Sequence, residues 1–198
     1  MIEVAVVTEM RLGEPGPGIG LVHAASLAAA LATGAEVVWM LEPGAAPAPA
    51  ALEHLLDALG PPGEAPLATG LALELSGRPA DALTPRGKQL DVEELAAGGL
   101  RRLPVRYAHL ANTLVRRDAI ERAGLPQASF GPYAAQEWTT RLLAGRRAWL
   151  DPASIVSLPA GWAPRHPGWR DAAATLRMLR TDAWSRGEAL RALAALGG

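Results

Sequence analysis

Hydrophobic positions along the first half of the chain switch repeatedly between two periods. Ile2 to Val7 is a short run rich in β-branched residues, as a buried strand requires. Leu21 to Ala32 is dense in Ala and Leu, with Gly34 where a helix would be capped, and predicts a helix. Glu36 to Leu41 (EVVWML) reads as a second apolar strand that delivers Glu42 to its C-terminal end. In Ala50 to Leu59, Leu52, Leu55, Leu56 and Leu59 fall on one helical face; Pro49 precedes it and Gly60, Pro61 and Pro62 end it. Leu67 to Leu75 alternates with period two and predicts a third strand. Strands alternating with helices favour an α/β fold, a mostly parallel sheet covered by helices on both faces.

The second half is less regular. Gly77 to Leu100 carries the turn signals Arg78-Pro79 and Gly98-Gly99 and reads as a long loop. Leu103 to Val115 looks extended, with an interruption near Asn112. Asp118 and Glu121 have capping-box spacing before a short helix that Gly124 ends. Pro132 opens a helix over Ala134 to Ala144, closed by Gly145. Arg147 to Leu150 and Ser154 to Leu158 are two short strands, and Arg170 to Leu196 is helical with Gly187 as a break. With no repeat and no linker, residues 1–198 read as one domain, of which 160–198 form a C-terminal helical extension.

Composition narrows the function classes. The absence of Cys removes disulfides, thiolate nucleophiles and thiolate metal sites. A net charge of −1, from 19 basic and 20 acidic residues, argues against a nucleic-acid partner. Ile19 to Leu41 is long enough to suggest a membrane span, but His23, Gly34 and Glu36 break it into helix, turn and strand. The N-terminus has no basic segment before its apolar run, so a cytoplasmic protein without a membrane span is expected.

Four places carry candidate chemistry. Gly16, Gly18 and Gly20 lie in a glycine-rich stretch between strand and helix, where backbone N–H groups can cradle a phosphate; a plain flexible connection is the other reading. Glu42 stands at a strand end, where α/β sheets bind ligands, or is a solvated loop acid; its candidate role as a metal ligand comes from the resemblance described below. Glu137 is an acid in the helix after Tyr133, placed to pair with Arg141 at i, i+4, and the resemblance described below adds a candidate proton-transfer role. Trp162, Arg165 and Trp169 form an aromatic and cationic group suited to a sugar or a partner, or to clamping the last helix.

Three segments together resemble the GT-A domain of family 2 glycosyltransferases of the rhamnosyl- and galactofuranosyltransferase kind. Gly18 to Leu59 is similar to that family's glycine-rich loop, helix and acid-tipped strand. Asn112 to Pro126 is similar to its strand-to-helix segment near the acceptor. Phe130 to Gly145 is similar to its acid-bearing helix, with Tyr133, Glu137, Trp138, Arg141 and Gly145 matching. The resemblance implies a GT-A-like fold, a nucleotide-sugar donor, and Mg²⁺ or Mn²⁺ held by clustered acids near Glu42. It also implies a base on the helix, with Tyr133 and Trp138 facing substrate. Pro43 and Gly44 replace the metal acids, Ala134 and Ala135 replace the paired acids that include the base, and at least one N-terminal strand–helix unit has no counterpart. Weak or absent metal binding is therefore expected. The resemblance leaves two functions open: a divergent transferase, or a catalytically inactive GT-A-like protein that binds a carbohydrate, a protein partner or a second copy of itself.

Overall fold

The computed structural model describes residues 2–8, 17–73, 101–162, 169–181 and 183–195. The loop expected over Gly77 to Leu100, together with Gly16 and Arg165, lies outside the described residues.

Strands β1 (Ile2–Val7), β2 (Ile19–Ala24) and β3 (Val37–Leu41) open the chain, with helix α1 (Leu27–Ala32) between the last two. A two-residue strand β4 (Ala46–Pro47), helix α2 (Ala51–Leu59) and strand β5 (Leu67–Leu73) follow. Then come β6 (Leu103–Val105), β7 (Asn112–Arg116), α3 (Arg117–Ala123), α4 (Ala134–Leu143) and β8 (Ala148–Ser157). Helices α5 (Ala172–Met178) and α6 (Arg186–Ala195) end the chain.

The strands form one sheet in the order β2-β1-β3-β7-β5-β8-β4, with β6 also on β8. β1 pairs parallel with β2 and β3, and β5 with β8. β7 runs antiparallel between β3 and β5, and β4 and β6 are antiparallel to β8. The sheet is thus mixed, not mostly parallel as the helix–strand alternation suggests. β7 is the reason: it enters the sheet from β6 and the residues after it, with no helical crossover to force parallel entry.

The expected helix over Leu21 to Ala32 is half strand. Ile19 to Ala24 pairs along the whole of β1, and Ser26 starts α1 by accepting the Ala29 N–H at 3.2 Å. The Ala- and Leu-rich composition hides this boundary; Ser26, a favoured N-cap residue inside the run, is its signal. α3 has no capping box. Arg116 occupies its N-cap without a side-chain bond, while Asp118 pairs with Arg122 at 2.5 Å and Glu121 with Arg117 at 2.7 Å. The two strands expected at Arg147 to Leu158 are one. Its partners shift from Gly70↔Asp151 to Leu71↔Ile155, so three residues bulge out between. The final helical stretch breaks before Arg186 and not at Gly187.

Helices cover both faces. On one, Ile120 of α3 and Trp138 and Leu142 of α4 pack against Val38, Val115 and Leu150. On the other, Leu52, Leu55 and Leu59 of α2 pack against Val37, Trp39, Leu114 and Val156. Each large side chain so buried contributes about 1.5–3 kcal/mol. A third cluster, Phe130, Tyr133, Ala174, Met178 and Ala183, fastens α5 to the 3₁₀ segment Ala128–Tyr133. No helix among the described residues is long and apolar enough to cross a membrane.

Candidate functional site

The parallel strands β1, β3, β5 and β8 all end at one edge of the sheet, the edge where α/β proteins bind ligands. Glu42 sits there. Its backbone N–H reaches Ala111 O at 3.2 Å and its carbonyl accepts from Ala45 N–H at 2.9 Å, which fixes the turn after β3. Its side chain is half-buried and makes no hydrogen bond or ion pair among the described residues. Gly44, in the same turn with φ +76°, lies against Pro159 in the turn after β8. Trp162 N–H donates to Pro159 O at 3.1 Å, and its ring packs on the α2 side of the core. Glu42 and Trp162 thus stand on neighbouring turns at this edge.

Beneath the edge lies a buried polar network that sequence reasoning missed. The bulge in β8 interrupts the ladder with β5, and Asn112, at the start of β7, fills the gap. Its Nδ2 donates to Leu71 O at 3.2 Å, Ser154 O at 3.2 Å and Ser154 Oγ at 3.1 Å; its Oδ1 accepts from Trp39 Nε1 at 3.0 Å. One buried amide therefore satisfies groups from three other strands, which would otherwise cost about 1–3 kcal/mol each. Gly70 makes this possible, because a Cβ there would land on Asn112 Nδ2 and on Ser154 O and Oγ. The break near Asn112 is visible in the sequence, but its partners are 40 or more residues away.

His109 lies just upstream. Its Nδ1 accepts from Ala111 N–H at 3.1 Å, so the neutral ring carries its proton on Nε2. The residue keeps some exposed surface, yet Nε2 is sealed from solvent and has no well-formed hydrogen bond among the described residues. Burial pushes the imidazole down to about 4, with the Gly70 backbone opposing that shift only in part.

Several residues expected at the site are elsewhere. Glu137 is 4% exposed, and its two carboxylate oxygens meet Arg141 Nε at 2.5 Å and Nη2 at 3.0 Å. Arg141 in turn donates to Ala123 O and Leu125 O, so the pair straps α4 to the end of α3. The i, i+4 pairing is the reading that describes Glu137. Trp138 is fully buried with Nε1 on Gly124 O at 2.7 Å, so it offers no surface to a substrate. Tyr133 is 8% exposed, bonds Thr175 Oγ1 at 3.2 Å, and meets the Trp184 ring edge-on with centroids 4.9 Å apart. It anchors the C-terminal helices.

Gly18 and Gly20 are at the other edge of the sheet from Glu42: Ile2 N–H donates to Gly18 O at 2.9 Å, level with the start of β1. They lead into a strand and not into a helix N-terminus, so the strand–turn–helix phosphate cradle is not formed by them. Trp169 begins a short 3₁₀ turn at Trp169–Asp171.

Among the described residues, this edge offers a divalent cation few ligands. Pro43 and Gly44 offer no side-chain oxygen beside Glu42, and no group of three His, Cys, Asp or Glu residues among the described residues is placed to hold a metal. Asp151, buried on β8, is already bound by Arg102 Nε at 3.0 Å and by Ala153 N–H at 3.0 Å.

Fold and edge together define a mixed α/β domain with helices on both faces of its sheet. No protein-family model matches the sequence, and no curated protein matches it. Among solved structures, the chain is similar to the crystal structure of GalNAc-T7 with UDP, GalNAc and Mn²⁺. Identity is 13% and the TM-score 0.47, over 77% of this chain and 35% of that one. It is also similar to the crystal structure of A197 from STIV, at 12% identity and a TM-score of 0.46, over 84% of this chain and 98% of that one. The chain thus spans about a third of the GalNAc-T7 chain. Likenesses at this level concern outline alone and carry no ligand or reaction over to this chain.

Proposed function

We propose that this protein is a single glycosyltransferase-like domain of GT-A type that binds a carbohydrate or a partner at the Glu42 edge without transferring a sugar. The observation that carries this reading is the state of Glu137. Of the positions where the family resemblance implies a proton acceptor, Ala134 and Ala135 have no acidic group, and Glu137 is buried with both oxygens on Arg141. A carboxylate so engaged cannot take a proton from an acceptor hydroxyl without losing the strap between α4 and α3. Glu42 and Trp162 then supply binding, with one open carboxylate and one aromatic wall. Divalent metal would be held weakly or not at all.

A surviving transferase activity is the second reading, and the Glu42 carboxylate, without a partner among the described residues, favours it. Isothermal titration of UDP and of nucleotide diphosphate sugars, with and without Mn²⁺, separates the two. The binding reading expects weak association that Mn²⁺ does not change. Tight, Mn²⁺-dependent binding that is lost in Glu42→Ala with an unchanged Tm would overturn it.

A further inference from the structure

The opposite edge of the sheet carries a cleft of about 730 Å³. Its walls come from the start of β8 (Trp149), from β6 (Pro104, Val105) and from the last turn of α4 (Leu143). β6 and β8 run antiparallel with Pro104 opposite Trp149, which puts the cleft at the N-terminal ends of the parallel strands. A cleft of this size suits a small organic ligand.

Its remaining walls include three arginines, Arg106, Arg146 and Arg147. The backbone brings the last two here: Ala144 (φ 45°) and Gly145 (φ 78°) are both left-handed, so the chain reverses at the end of α4 and places Arg146 and Arg147 at the cleft. A non-glycine residue in that region carries backbone strain. Arg146 spends Nη2 on Gly63 O at 2.6 Å and Glu64 O at 3.4 Å, leaving Nη1 and Nε without a partner among the described residues. Arg147 is exposed and has no hydrogen bond or ion pair among them. Arg106 is oriented by Glu188, whose Oε2 lies 2.8 Å from its Nη1.

We infer that this cleft binds a small organic phosphate with a flat, apolar body, the phosphate on Arg147 and Arg146 and the body beside Trp149 and Pro104, which face each other across β8 and β6. Guanidinium groups match phosphate oxygens in geometry and charge, and Arg147 reaches such a ligand without giving up a partner among the described residues. The inference is independent of the function proposed for the Glu42 edge, and either can fail alone.

Phenyl phosphate is the probe, titrated into the full chain at low ionic strength and followed by calorimetry and by the Trp149 indole N–H resonance, assigned with Trp149→Phe. Inorganic phosphate and phenol are the controls. Phenyl phosphate should bind saturably and shift the Trp149 signal, inorganic phosphate should bind more weakly, and phenol should not bind. Arg147→Glu, at an exposed position, should keep the wild-type Tm and weaken phenyl phosphate by at least about tenfold, the effect of one charge-assisted hydrogen bond. No saturable binding, equal affinity in Arg147→Glu, or shifts confined to the Glu42 edge would overturn the assignment. Inorganic phosphate binding as tightly as phenyl phosphate would refute the flat-bodied ligand.

Discussion

Two single residues hold the polar interior beneath the Glu42 edge, and each makes a measurable prediction. Gly70 is required because a Cβ would overlap Asn112 Nδ2 and the Ser154 backbone carbonyl, and a carbonyl in a sheet cannot step aside as a flexible side chain can. Gly70→Ala should therefore destabilise by about 3 kcal/mol or more, at the upper end of overpacking costs, read from chemical denaturation. A change below about 0.5 kcal/mol would mean that the bulge in β8 is not packed as described.

His109 makes the second prediction. Its folded pKa, about 4, lies below the ordinary value of 6.5. The unfolded chain therefore binds the proton more readily. Stability is undiminished above pH 6.5 and falls as the pH drops through the window from 6.5 to 4, with a slope of up to about 1.4 kcal/mol per pH unit. The total loss approaches about 3 kcal/mol at the lower end. His109→Gln should remove most of that slope in urea titrations between about pH 7 and 4; an unchanged slope would assign the acid sensitivity elsewhere.

At the scale of elements, one aromatic residue ties the C-terminal helices to the rest of the fold at two points. Tyr133 joins them to the segment before α4 through Thr175 and Trp184. Tyr133→Phe keeps the ring contact and removes the hydroxyl bond, and should cost about 0.5–1.5 kcal/mol. Amide exchange should speed up in α5 before the sheet responds, whereas uniform acceleration across the molecule would show that these helices do not open by themselves.

This scale also shows what the sequence could reveal. Strands β1, β3 and β5 and helix α2 were legible, because each is a run of apolar residues with a single clear period between glycine or proline signals. β2 was not, because a six-residue edge strand joined to an Ala-rich helix gives one continuous helical composition. The antiparallel entry of β7 was illegible too, since strand direction follows from connections and not from periodicity. At the site, Glu42 was legible as a strand-end acid. Asn112 was only an interruption until its partners Trp39, Leu71 and Ser154 were brought to it from other strands. The burial of Trp138 and Tyr133 was hidden for a different reason: an aromatic residue in a motif looks the same in sequence whether it faces a ligand or the core.

For the whole molecule, the proposal is that the sheet binds at its Glu42 edge without transferring a sugar. Ala134, Ala135, Pro43 and Gly44 stand where the family resemblance implies acids, and Glu137 is paired with Arg141. The most direct test is turnover: incubation of the full chain with a panel of nucleotide diphosphate sugars and Mn²⁺, measuring release of the nucleotide diphosphate with and without carbohydrate acceptors. The account predicts no release above that of a Glu42→Ala, Glu137→Gln double variant. Metal-dependent release by the wild type that is abolished in Glu42→Ala, while its Tm is retained, would contradict it.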